Sequence, residues 1–233
     1  MGYNPFETVA SYGKMLAKIG VFTFANAVGA VWMLTFVVPP IATFLAQLSL
    51  QVPLWGIEVP LGVLVVSLAW AFLSRLVKLH DRVSDVLGLR RRFDVEHILK
   101  PMAQEAGVQL SPILKAKLRW KRRDLMSAVF YKYASGGTGK AVIDDHYVTM
   151  ALDQWAWFWI VLEGVVTWSL AAIVLVFTEN LLAAGIILLV VAGGCGLMVC
   201  SWGISVRYAQ DEIHEITKDG VRKQDIAAVF NAL

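Results

Sequence analysis

Apolar positions gather into two long blocks, about residues 20–77 and 155–206, with a polar stretch between them. Soluble core helices this apolar seldom run past about 14 residues, whereas these blocks hold runs of the roughly 20 that a helix needs to cross a bilayer. The first run covers about 19–38 (IGVFTFANAVGAVWMLTFVV) and ends at Pro39-Pro40, since proline lacks the amide donor a helix needs and clashes with the preceding turn. From Ile41 to Leu50 the chain is apolar but too short to cross again. That segment is expected either along the outer surface or as a kinked extension of the first span. Pro53 and Pro60 bracket Glu58, and a second span is predicted over about 57–77. Spans three and four follow at about 155–177 and 181–206, separated only by Thr178, Glu179 and Asn180, which predicts a tight hairpin.

These elements predict an all-α integral membrane protein. Its four transmembrane helices form two hairpins, with a helical cytoplasmic domain between helices 2 and 3. Residues 1–18 read as an interfacial helix, with Asn4 as N-cap, Pro5 at the first helical position, and Phe6, Val9 and Leu16 on one face. Hairpins at 19–77 and 154–206 enclose the linker domain 78–153, and 207–233 forms a C-terminal tail. In the linker, 78–90 continues span two as a stalk. A helix from about Asp94 is interrupted at Pro101 or ends near Gly107, and Ser111-Pro112 starts a helix running to Ala134. Asp144 and Asp145 are placed to cap the helix that leads into span three. The linker alone is marginal for an independent core.

Composition supports the membrane assignment: 58% of the chain is hydrophobic and 17% charged, against roughly 25% charged in soluble domains. The charge distribution adds an orientation. The linker holds 14 of the 21 Lys and Arg residues, while the two short interspan loops hold none. By the positive-inside bias, both termini and the linker are expected in the cytoplasm, and a bacterial inner membrane is the expected location. Trp155, Trp157 and Trp159 read as an aromatic belt where span three enters the membrane. Both cysteines, Cys195 and Cys200, lie in the last apolar block, so neither a disulfide framework nor a thiolate metal site is expected.

Candidate chemistry concentrates in KAKLRWKRRD, residues 115–124, with six cations in nine positions. On one helix, Lys115, Arg119, Arg122 and Arg123 form a stripe beside an apolar one of Leu114, Leu118, Leu125 and Val129. Lys117 and Lys121 flank the other edge, and Trp120 lies on a further face. Two readings stand. The cations serve topology and contact with anionic lipid, or Lys115, Lys117, Arg119, Trp120, Lys121, Arg122 and Arg123 hold an anionic ligand. Arginine forks suit phosphate, and an aromatic ring stacks on a base.

Other motifs are weaker. SGGTGK at 135–140 lacks the first glycine and the final Ser or Thr of a phosphate-binding loop, and reads as a connector. Arg92 and His97 match an R-x4-H nuclease spacing that is common by chance. His80-Asp81 and Asp144-Asp145-His146 read as caps and solvated pairs, with no metal cluster and no cofactor expected. No convergent catalytic set is present, so no enzyme is expected. Glu163 is different, because an acid within a span normally faces protein or water. It reads as a pore or ion-pathway residue, as a protonated acid bonded to a neighbouring helix through Asn26, or as a side chain reaching the interface. Ala192, Gly196 and Cys200 form a small-residue stripe suited to helix packing.

Two membrane hairpins around an arginine-rich helical linker, without a catalytic motif, resemble small membrane subunits of bacterial anti-phage systems. The layout is similar to the Hailong effectors (HalB), which form tetrameric channels restrained by DNA oligomers in a positive chamber. It is also similar to KwaA of Kiwa defence, which anchors a cytosolic DNA-binding partner. The resemblance implies a homo-oligomeric channel in the bilayer, controlled by a DNA oligomer or nucleotide. Its alternative is a non-conducting scaffold that recruits a cytosolic defence partner.

Overall fold

The computed structural model describes residues 4, 6–9, 11–48, 50–54, 57–134 and 142–233. Among these described residues the fold is all-α apart from one short β-hairpin. The chain divides into two compact units, one of residues 1–82 with 155–201, the other of 83–154 with 202–233.

In the first unit, α1 (Tyr12–Val37) starts at Ser11, whose hydroxyl accepts from the Lys14 amide. The expected interfacial helix over 4–18 is not formed. Residues 12–18 belong to α1, and Asn4 closes only a local turn onto the Phe6 amide; Pro5 lies outside the described residues. Val38, extended as the residue before proline must be, separates α1 from the short helix α2 (Pro39–Ala46). An antiparallel hairpin then pairs β1 (Gln51–Leu54) with β2 (Ile57–Pro60), Val52 opposite Val59. The second span therefore begins later than expected, with α3 (Leu61–Leu76). Val59 and Val63 join Val28 of α1 and Leu45 of α2 in one buried cluster. At Gly62 a Cβ would come within 2.5 Å of the Leu45 carbonyl oxygen, so only glycine allows this approach. Lys78, at φ 51°, bends the path by 56° between α3 and α4 (Leu79–Leu87).

In the second unit, α5 (Leu89–Arg92) follows Gly88 at φ 65° and runs through a π-helical segment, Phe93–Leu99, into α6 (Lys100–Glu105). The helix passes Pro101 because the π-helical register just before it moves the backbone bonds; the Lys100 amide donates to the Val95 carbonyl, five residues back. It ends at Gly107 (φ 77°), with the Val108 amide on the Ala103 carbonyl and the Gly107 amide on that of Gln104. Ser111 caps α7 (Pro112–Trp120) by accepting from the Leu114 amide at 3.1 Å. The continuous helix expected from Ser111 to Ala134 is interrupted at Lys121. It resumes as α8 (Arg122–Leu125), a π-helical segment Met126–Tyr131, and α9 (Lys132–Ala134). Leu114, Leu118, Leu125 and Val129 are all buried, as their stripe predicts.

Helices α10 (Asp145–Phe177) and α11 (Leu181–Thr217) supply residues to both units. The turn between them is a Schellman motif: the Asn180 amide donates to the Leu175 carbonyl and the Glu179 amide to that of Val176. Glu179 takes the left-handed position at φ 60°. The last helix, α12 (Gly220–Asn231), is capped by Asp219 and packs against α6, burying Ile226 and Phe230. The tail is thus part of the second unit's core, and it supplies apolar surface the linker lacks by itself. α1, α10 and α11 are each long and apolar enough to cross a membrane, and α3 with α4 meets the same test only as a bent pair.

Candidate functional site

The basic segment builds a concavity of about 390 Å³ within the second unit, lined by residues 119–124 and, from across the Gly88 turn, Asp85, Gly88 and Arg91. The left-handed turn at Gly88 places the Arg91 guanidinium 3.4 Å from where a Cβ would stand. Trp120 is 90% exposed, so its indole is available to stack. The break at Lys121 splits the predicted stripe and changes the residues that act together. Arg122 turns inward and pairs with Asp94 at 2.6 Å, with both side chains largely buried. Burial pushes the Asp94 carboxyl up, and Arg122 and Arg90 draw it back down. Arg122 is therefore a structural cation. The side chains of Arg91, Lys121 and Arg123 make no ion pair or hydrogen bond among the described residues, and Arg119 lies near Glu96. Lys115 is exposed and Lys117 half-buried on α7, outside the lining. Arg91 was not among the residues the sequence singled out; its role depends on the Gly88 turn.

Glu163 stands in the first unit, fully enclosed at 1% exposure. Its Oε1 lies 3.2 Å from His80 Nδ1, and its Oε2 receives Ser74 Oγ at 3.1 Å and contacts Thr23 Oγ1. The partners come from α1, α3 and the start of α4. Asn26, the partner in one of the three readings of Glu163, instead donates to the Phe22 carbonyl and accepts from Trp168 Nε1 at 3.1 Å. The acid is turned into its own unit, between α1 and the bend after α3. The expected aromatic belt is also turned inward. Trp155 stacks on Trp159 at 5.6 Å, Trp159 is buried near the His80 ring, and Trp157 packs on Phe22 under the Lys18 ammonium. The Ala192, Gly196 and Cys200 stripe faces outward, exposed, whereas the in-chain close approach is at Gly194 against Val165.

The remaining motifs have local packing and capping contacts. His97 packs its ring against Phe93 and Trp202, and burial pushes its imidazole down. Asp144 Oδ1 accepts from the His146 amide at the start of α10. Residues 135–140 lie outside the described residues. No group of three metal-ligating side chains occurs among the described residues.

A model of the YmfE protein family matches residues 11–227, nearly the whole chain. The chain belongs to the YmfE family. Within curated proteins, the chain is similar to the Escherichia coli (strain K12) protein described as "Uncharacterized protein YmfE", with 23% identity over 192 residues, 76% of this chain and 75% of the relative. No solved structure matches. The family match spans both units, so the concavity and the enclosed acid each lie within it.

Proposed function

We propose that this YmfE-family chain is a four-span membrane protein of a bacterial inner membrane, with the bent α3–α4 pair as one span and both termini cytoplasmic. Its basic concavity takes a phosphate-bearing anion, and the anion controls an oligomeric channel. The observation that carries this reading is a concavity with three unengaged cations, Arg91, Lys121 and Arg123, beside a free indole. Topology by itself needs cations but not a shaped recess, and a guanidinium–indole pair suits a nucleotide or short single strand. The outward small-residue stripe on α11 is a surface on which copies can pack. The anti-phage setting is the one the layout resemblance implies.

The test uses full-length protein in liposomes. Short single-stranded DNA, or a nucleotide, is expected to change ion flux, and reversal of Arg91 or Arg123 to Glu to weaken binding about tenfold or more. Reversal at Lys115, outside the recess, is expected to have a smaller effect. Flux indifferent to these ligands and to reversals in the recess overturns the reading. A second reading, a scaffold docking a cytosolic protein, is favoured by exposed Val86 and Leu87 beside the recess. It predicts no flux and saturable binding of a partner that Val86→Asp abolishes.

A further inference from the structure

Glu163 and His80 are both almost fully buried, and their side chains meet from α10 and from just beyond the break at Lys78. Nothing in the anion reading uses them, and neither lines the concavity. The hydroxyls around the acid have an unusual freedom. Thr23 Oγ1 has one proton and two oxygen neighbours, the Ile19 carbonyl at 2.9 Å and Glu163 Oε2. Ser74 Oγ reaches the same Oε2. With Glu163 ionised, Oε2 accepts from Ser74 and from Thr23, and Oε1 accepts from His80 Nδ1–H. With Glu163 protonated at Oε2, that proton is donated to Thr23 Oγ1, and the Thr23 proton turns to the Ile19 carbonyl. Both states are satisfied by hydroxyl rotation alone, because a hydroxyl both donates and accepts. An enclosure built only to hold a carboxylate would use fixed donors such as backbone amides.

His80 gives the site a second titratable group. Its Nε2 is buried with no hydrogen-bond partner among the described residues, and Asp81 Oδ1 stands 3.7 Å away. The other charged groups on the enclosing elements are Lys14 and Lys18 on α1, Lys18 bonded to the Glu7 carbonyl over Trp157; Arg75 on α3, against Gly20; and Asp81, Arg82 and Asp85 on α4. α10 has no second charged side chain between Asp153 and its end at Phe177. A proton added to Glu163 therefore removes the acid that faces His80 from α10.

We propose that Glu163 and His80 form a proton-binding site whose occupancy sets how firmly the chain is held at the break between α3 and α4. With Glu163 ionised, its link to His80 is charge-assisted and fastens the residues just after Lys78 to α10. With Glu163 protonated, the link is an ordinary hydrogen bond, roughly half as strong, and the break is freer.

The test is infrared difference spectroscopy on the full-length protein in nanodiscs, titrated from about pH 4 to 9, a window spanning ordinary Glu and His ionisation. A carboxylic C=O band is expected to appear on acidification, to be lost in E163Q, and to shift in S74A, which removes one bond. H80Q keeps an amide donor without titrating, and is expected to move the midpoint by a unit or more. Hydrogen exchange across 78–82 is expected to rise several-fold as the band appears. A wild-type spectrum with no titrating buried carboxyl overturns the site, whatever the variants do. So does a band that survives E163Q, or a midpoint unmoved by H80Q. Exchange at 78–82 indifferent to the titration overturns the coupling to the break.

Discussion

α10 and α11 are nearly matched as sequence, 33 and 37 residues of comparable hydropathy, yet 44% of the most apolar stretch of α10 is buried and only 11% of that of α11. Hydropathy decides whether a helix partitions into lipid; it does not decide what the helix touches there. α10 buries Glu163, Gly164 and Thr167 among α1 and α3, and there polar groups find fixed partners. α11 leaves Leu188, Leu189, Val190, Leu197 and Val199 outward, with small residues between them. Two helices that read alike thus have different duties: one organises the interior of its unit, and the other offers surface.

The widest gap between the two is expected at their polar centres. Glu163→Ala in α10 leaves two hydroxyls and an imidazole enclosed without the acid, and should cost about 3–5 kcal/mol. Cys200→Ala in α11 should stay within about 0.5 kcal/mol. Thermal unfolding in detergent reads both, and equal costs would erase the contrast. The same contrast of inward and outward positions holds in the basic segment. Arg122→Ala removes the ion-pair partner of the buried Asp94 carboxylate, leaving only the pull of Arg90, and should destabilise by up to about 3 kcal/mol, while Arg123→Ala should leave stability unchanged and weaken anion binding. A narrower test lies within α11. Gly194→Leu meets Val165, whose Cγ2 would stand 2.8 Å from the new Cβ, and should cost about 1–3 kcal/mol. Gly196→Leu meets nothing within 4 Å and should spare the fold while reducing self-association, as read by light scattering.

The smallest effect expected is a pH dependence in the second unit. Burial holds the His97 imidazole below its usual range, so the unfolded chain takes up a proton first as pH falls. The stability from neutral His97 is present above about pH 6.5 and declines as pH drops through the lowered value. His97→Phe should flatten that part of a denaturation–pH curve.

Much of the framework was legible in the chain. The apolar runs of α1, α10 and α11, the Thr178–Asn180 turn, the Ser111 cap and the buried leucine stripe all follow from local chemistry. Several features were not, for identifiable reasons. The hairpin at 51–60 contains two prolines, which read as breakers, yet both sit where a two-stranded ribbon has outer edges to spare. Passage through Pro101 depends on a π-helical register that leaves no signature in residue spacing. The Lys121 break split a stripe that helical spacing had drawn as continuous. His80 and Glu163 are 83 residues apart, and no periodicity links them. Arg91 joins the recess only because Gly88 turns left-handed.

The two π-helical segments, Phe93–Leu99 and Met126–Tyr131, have a bearing on descent. A π-helical turn accommodates one more residue than an α-helical turn without opening a loop. A single-residue insertion inside a packed helix, where the flanking faces must keep their registers, would leave a segment of this kind. Relatives one residue shorter at either place should have plain α-helix there with the same residues buried on both sides. A one-position gap at 93–99 or 126–131 in a comparison within the family then marks a switch of helix type, and not an extra bulge on the surface.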